Sequence, residues 1–312
     1  MIRTVTIVGA GDMGSGFAVH FARHDLDVTL VDHRESNLRE ADERIREAVA
    51  GLASRGVTDR SPDAVSEAVS SNTDLRSGVA DADLVLETVP EDLAIKHDVF
   101  PTIADAAPAE AILASNTSGI PITDIAEAVP DDAERVVGCH WWYPPYLLEP
   151  VEVVRGAETS DRTMERTQEF LKSVDRRPIV VERDVPGFVW NRIQNAVVRE
   201  CLHLLEEDVA SAADINAAIR DGYARRTSVI GPLETIDVAG VDLFETVASD
   251  LYPHLCSDEE VQDVFGDLLS GGRTGIDAGH GFFEYDEAPE AIRSRRDDHL
   301  AALENCFDDF EE

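Results

Sequence analysis

The stretch Val5 to Gly14, Val-Thr-Ile-Val-Gly-Ala-Gly-Asp-Met-Gly, decides the fold. A short β-favouring run leads straight into a G-x-G-x-x-G, and Met13, Phe17 and Phe21 then recur at helical spacing. Asp27 to Val31 reads as a second strand, closed by Asp32, 21 residues after Gly11. A glycine triplet alone is a weak signal. Set between strand and helix, with an acid ending the next strand, it is a dinucleotide-binding pattern. Gly9 serves the tight turn, Gly11 lets the backbone approach a pyrophosphate, and Gly14 admits close helix–strand packing. Asp12 and Met13 open the helix, whose first N–H groups and positive dipole end would face the phosphates. Asp32 would accept the adenosine ribose hydroxyls and repel a 2′-phosphate. That favours NAD over NADP, with Arg34 nearby as a partial counterweight.

Further βα units follow. Asp83 to Glu87 and Ala111 to Ala114 read as strands, and Leu93 to Ala104 as a helix. In a doubly wound sheet the loops at the carboxyl ends of the strands line the ligand crevice. Glu91, Lys96, Asn116 and Ser118 fall on such loops. Residues 35–72 read as a helical excursion, and residues 177–182 as the last strand. Pro186-Gly187 then marks a switch to helices over 188–207, 211–222 and 232–251. The expected architecture is a doubly wound, mostly parallel α/β domain over 1–183 and an all-α domain over 184–312.

A second segment, Gly138 to Val154, carries the chemistry. His140 ends one apolar run and Glu152 sits within another, while Pro144-Pro145 forces a turn between them. Adjacent strands would bring imidazole and carboxylate together, which is how a neutral-pH proton acceptor is made.

Composition narrows the setting. The chain has 312 residues, with 63 acidic against 27 basic side chains and a formal charge of −36. Lys96 and Lys172 are its only lysines. Acids spread along the whole chain with so few lysines point to a protein that works in molar salt, which screens the self-repulsion. The same charge disfavours nucleic acid as a ligand. No apolar run is long enough to span a membrane. The first strand begins at once, so no secretory signal is expected. Cys139, Cys201, Cys256 and Cys306 have no metal-ligand spacing, and a reducing cytoplasm is the expected setting.

Taken together, the segments IVGAGDMGSG, ETVPEDLAIK, ASNTSGIPIT, GCH…PVEVV, DVPGFVWNRI, IGPLETIDVAGVD and GHGFFEYD resemble the L-3-hydroxyacyl-CoA dehydrogenase family, in order and over nearly the whole chain. The resemblance implies NAD-dependent oxidation of an L-3-hydroxyacyl substrate to its 3-keto product, in a homodimer. It makes His140 the general base, Glu152 its partner, and Ser118 and Asn191 the remaining catalytic groups. Asp32, Glu91, Lys96 and Asn116 would hold the cofactor, and no metal is expected. Where acyl-CoA members carry Phe-Phe-Asn after the histidine, this chain has Trp141-Trp142-Tyr143. The Pro-Pro-Tyr run that follows is more like relatives acting on free 3-hydroxy acids, such as L-gulonate 3-dehydrogenase, lambda-crystallin and L-carnitine dehydrogenase. A free-acid dehydrogenase is therefore the first alternative, and a crystallin-like NAD-binding protein without turnover the second. The lysine-based beta-hydroxyacid dehydrogenases are excluded, because no lysine opens the second domain.

Overall fold

Apolar residues in short strands must alternate between the two faces of a sheet. Eight strands do so here: β1 (Thr4–Val8), β2 (Asp27–Val31), β3 (Val69–Asn72), β4 (Leu84–Glu87), β5 (Ile112–Ser115), β6 (Val136–Trp141), β7 (Pro150–Val154) and β8 (Arg177–Val181). The structure, a computed structural model, describes the backbone of residues 1–311, with side chains through Leu303 and at Cys306. The side chains of the acidic run 307–312 otherwise lie outside the described residues.

The sheet order is β3-β2-β1-β4-β5-β6-β7-β8. Strands β1 to β6 are parallel, and β7 runs antiparallel to β6 with β8 parallel to it. One face buries Val5, Ile7, Leu30, Leu86, Val137 and Trp141 under the helices Asp12–Arg23, Glu35–Ser54 and Asp161–Ser173. The other buries Val8, Val85, Leu113 and Val136 under Leu93–Ala106 and Ile122–Ala126. This is the doubly wound architecture expected, with helices on both faces of a mostly parallel sheet.

Two expectations need correction. The excursion over 35–72 is not wholly helical, since it ends in β3, whose Val-Ser-Ser-Asn pairs with β2 at the sheet edge. So short and polar a strand carries no apolar alternation to read. The single helix expected over 232–251 is two, Pro232–Ala239 and Val241–Leu251, because Gly240 adopts a φ of 106°. That backbone state is open to glycine and breaks a helix.

The chain falls into two compact units. One is Met1–Asn191 with the chain from Arg295 onward, and the other is Arg192–Ser294. Two stretches assigned by sequence to the second domain therefore pack with the first. Residues 184–191 do so because Val189 and Trp190 donate backbone hydrogen bonds to Glu152. The end of the chain does so because Ala301 enters the core and Asp298 pairs with Arg55. The second unit is helical and buries little apart from Leu202, Ile215 and Cys256. No described helix is long and apolar enough to cross a membrane.

Packing in the glycine-rich turn separates two glycines by their roles. A Cβ on Gly14 would sit 1.9 Å from the Gly9 carbonyl oxygen, whereas one on Gly11 would meet nothing within 4 Å. Gly14→Ala should therefore cost about 3 kcal/mol, since neither backbone can yield. Gly11→Ala should cost at most about 1 kcal/mol. Urea denaturation of both variants in molar potassium chloride checks the contrast, and equal losses would contradict it.

Candidate active site

The turn after β1 leaves a helix start ready for an anion. Gly11 is the N-cap of Asp12–Arg23 and carries no side-chain cap, so the first-turn N–H groups face outward. Gly9, at φ 113°, brings its Cα against the Thr88 carbonyl, where any Cβ would collide. Asp12 is exposed and Met13 half-buried at the helix start. Asp32 closes the turn from below. Its Oδ2 accepts the Ala10 N–H at 3.1 Å, and its Oδ1 accepts the Arg34 N–H and the Asn37 amide at 2.9 and 3.0 Å. The empty space over Gly11 and the uncapped helix fit a dinucleotide pyrophosphate. Arg44, which the sequence did not single out, reaches this turn and donates to Ser15 Oγ (3.1 Å) and the Ala10 carbonyl (2.6 Å).

At the ends of β4 and β5 a buried charge network supports the next loop. Glu87 is completely buried, and its carboxylate accepts Lys96 Nζ at 2.9 and 3.0 Å, Ser115 Oγ at 2.6 Å and the Val89 N–H at 2.7 Å. Lys96 is equally buried and also lies 3.5 Å from Glu91. Its ammonium thus neutralises two carboxylates from beneath, so its influence on a cofactor would pass through Glu91. Glu91 in turn accepts the N–H groups of Ser118 and Gly119 at 2.7 and 3.2 Å and the Thr117 hydroxyl at 2.7 Å. Asn116 accepts the Trp141 N–H at 2.9 Å, which joins this loop to the end of β6. Glu87 went unread because an acid inside a strand resembles an exposed one until its partners are known.

The β6–β7 register sets His140 directly opposite Glu152. Their side chains share one face of the sheet, and His140 Nδ1 lies 2.7 Å from Glu152 Oε2. With the carboxylate ionised, the shared proton sits on Nδ1 and leaves the Nε2 lone pair free to take a proton. Glu152 is fully buried, and its Oε1 accepts the Val189 and Trp190 N–H groups, each at 2.9 Å. Burial alone would raise its pKa. The hydrogen bonds from His140, Trp190 and Val189 outweigh that and hold the carboxyl below its ordinary value. Ser118 is exposed nearby, and Asn191 donates to the Ser118 carbonyl at 2.7 Å, so all four expected catalytic residues belong to one unit.

One aromatic ring packs against this pair, and others gather around the end of β6. Phe188, fully buried at φ 48°, has its ring centroid 6.0 Å from that of His140. Trp141 points to the opposite face, where it packs edge-on against Phe17, Phe21 and His20 beneath the Arg176 guanidinium. Trp142 stacks on Trp190 with centroids 4.0 Å apart. Neither Phe188 nor the indole stack announces itself in sequence, because both depend on where 188–190 docks.

The chain is similar over its length to proteins of one family. The family model for the 3-hydroxyacyl-CoA dehydrogenase NAD-binding domain matches residues 4–185, and that for the C-terminal domain matches residues 187–285. The chain is 35% identical over 309 residues to 5-formyl-3-hydroxy-2-methylpyridine 4-carboxylate 5-dehydrogenase of Mesorhizobium japonicum, covering 99% of each chain. It is 36% identical over 248 residues to L-carnitine dehydrogenase of Streptomyces griseus, covering 77% of this chain and 70% of that one. A crystal structure of a 5-formyl-3-hydroxy-2-methylpyridine 4-carboxylic acid 5-dehydrogenase, an NAD+ dependent dismutase, superposes with a TM-score of 0.90 at 34% identity over 99% of both chains. The chain is therefore an NAD-dependent dehydrogenase acting on a hydroxyl group, and it belongs to the 3-hydroxyacyl-CoA dehydrogenase family.

Proposed function

We propose that this enzyme interconverts a small free hydroxy acid and its keto counterpart, with His140 as the base. NAD, when bound, supplies the hydride acceptor. His140 Nε2 takes the hydroxyl proton, Glu152 orients the ring and favours the imidazolium, and Ser118 and Asn191 steady the substrate oxygen. Glu91 and Asn116 would meet the nicotinamide end of the cofactor, with Lys96 acting from below.

The observation that carries the free-acid reading lies on the helix Glu35–Ser54 and just beyond it. Two cations just beyond that helix, Arg55 and Arg60, are engaged with Asp298 and Asp25. A nucleotide with several phosphates would have to break those pairs against a strongly acidic background. The relatives named above for a pyridine carboxylate and for carnitine favour the same reading. The second reading keeps the chemistry and takes a 3-hydroxyacyl-CoA thioester, as the family models imply.

We further read the protein as a cytoplasmic homodimer suited to molar salt. The second unit exposes Val229, Leu233, Val238 and Val241 and holds an apolar groove of about 740 Å³ lined by Val197, Leu202, Ile215, Phe265, Leu269 and Phe282. So much apolar surface on a small helical unit calls for a cover, and a second copy supplies a matching one under two-fold symmetry. All four cysteines are free, in keeping with a reducing compartment. Light scattering in molar potassium chloride should return twice the 34.1 kDa chain mass. Unfolding should need markedly more urea there than in dilute buffer, and a monomer or salt-independent stability would reject the corresponding reading.

NADH oxidation by acetoacetate and by 5-formyl-3-hydroxy-2-methylpyridine-4-carboxylate, each compared with acetoacetyl-CoA, tests the substrate class. Turnover of the thioester alone would reject the free acid. His140→Gln should lower turnover roughly 10²- to 10⁴-fold with NADH affinity nearly unchanged, and unaltered turnover would remove His140 as the base.

Glu152 also links stability to pH. Because its folded pKa is depressed, the ionised carboxylate contributes stability that is fully present above the ordinary carboxylate range. That contribution is lost as pH falls through the folded value. The stability gap between wild type and Glu152→Gln should therefore narrow on going from about pH 7 to about pH 3. Urea titrations along that series measure it, and a constant gap would contradict the assignment.

A further inference from the structure

We propose that Trp142 binds substrate, its indole N–H donating to a substrate oxygen beyond the reacting carbon, while the Trp142–Trp190 stack forms the flat wall that limits substrate size. This rests on the free-acid reading above, in which the accepting oxygen belongs to the carboxylate.

Chain position gives the first support. Trp142 is the first residue after β6, two positions beyond His140, which keeps it close to the imidazole along the chain. Trp141, between them, points to the opposite face and is absorbed into the core. The stack gives the second. The Trp142 ring centroid lies 4.0 Å from that of Trp190, whose backbone N–H donates at 2.9 Å to the carboxylate that holds His140. The stack thus joins a residue next to the end of β6 to one whose backbone is bonded to Glu152. The polar atom gives the third. Trp142 Nε1 is buried and has no hydrogen-bond partner among the described residues. An indole nitrogen can only donate, and a buried donor without an acceptor is unfavourable. Its counterpart Trp141 Nε1, by contrast, has found the Cys139 sulfur at 3.2 Å.

A carboxylate is the strongest acceptor a small hydroxy acid can offer such a donor. The stacked indoles leave Trp190 partly exposed, so its ring can lie against a planar carboxylate or ring on the substrate. A long flexible acyl chain gains less from that surface than a compact planar acid does. The stack and the lone donor thus select for the same molecule.

Trp142→Phe is the decisive variant, because phenylalanine keeps an aromatic ring in the stack and deletes only the N–H. With acetoacetate the KM should rise about tenfold to hundredfold, with kcat within roughly threefold and NADH affinity unchanged. With butanone, which has a methyl group where acetoacetate has its carboxylate, the same variant should leave kcat/KM nearly unaltered. A purely structural role would damage both substrates equally, and that result would overturn the proposal. In ¹⁵N-tryptophan-labelled enzyme with NADH, the indole signal missing from Trp142→Phe should shift when acetoacetate or the pyridine acid saturates the site. No shift with either would overturn it as well. Should acetoacetyl-CoA prove the only substrate, the free-acid reading fails. The donor role then stands on a raised KM for the thioester in Trp142→Phe and falls if that KM is unchanged.

Discussion

One carboxylate ties the β6–β7 pair to the segment that follows Gly187. Glu152 receives a proton-bearing nitrogen from β6 and two backbone N–H groups from the segment that starts the long helix Trp190–Glu206. Burying a carboxylate is costly, and three donors on its two oxygens are what make the burial tolerable. The consequence is positional. The imidazole, the middle of β7 and the segment 189–190 cannot shift independently, because each is referenced to the same two oxygen atoms. Phe188 accepts an unfavourable backbone conformation in this segment, a cost that the surrounding contacts must offset.

A second buried charge cluster does comparable work at the other loop. Glu87 and Lys96 carry no exposed surface, yet they set Glu91, and Glu91 gathers three donors from 117–119. The support beneath this loop is thus built from ion pairs where apolar side chains would also have filled the space. Such pairs are sensitive to the loss of one partner, and that sensitivity holds the loop in a single arrangement.

Much of this was legible in the chain, for reasons that differ by residue. Gly9, Gly11, Gly14 and Asp32 act within a single βαβ unit, so their spacing is the message. His140 and Glu152 could be paired because two short strands around Pro144-Pro145 leave few other registers, and the observed register is the direct one. Polar strand β3 was hidden because its edge position removes the apolar alternation that marks a strand. Gly240 breaks a helix through its own dihedral angle, which a residue pattern does not display. The return of the chain from Arg295 to the first unit depends on contacts such as Arg55 with Asp298, separated by 243 positions. Long-range pairing of that kind leaves no local trace. The roles of Glu87, Phe188 and the Trp142–Trp190 stack were unread for the same reason.

The indoles have one further consequence. The chain contains three tryptophans, and all three lie at the end of β6 or stacked beside it: Trp141 in the core on one face, Trp142 and Trp190 against each other. No tryptophan elsewhere contributes background emission. The molecule consequently carries its own optical gauge. Light absorbed by these rings and passed to a reduced nicotinamide reports occupancy of the crevice, and the emission that remains reports the solvation of the stack. Ligand entry and local opening can be followed separately in the unlabelled, unmodified enzyme.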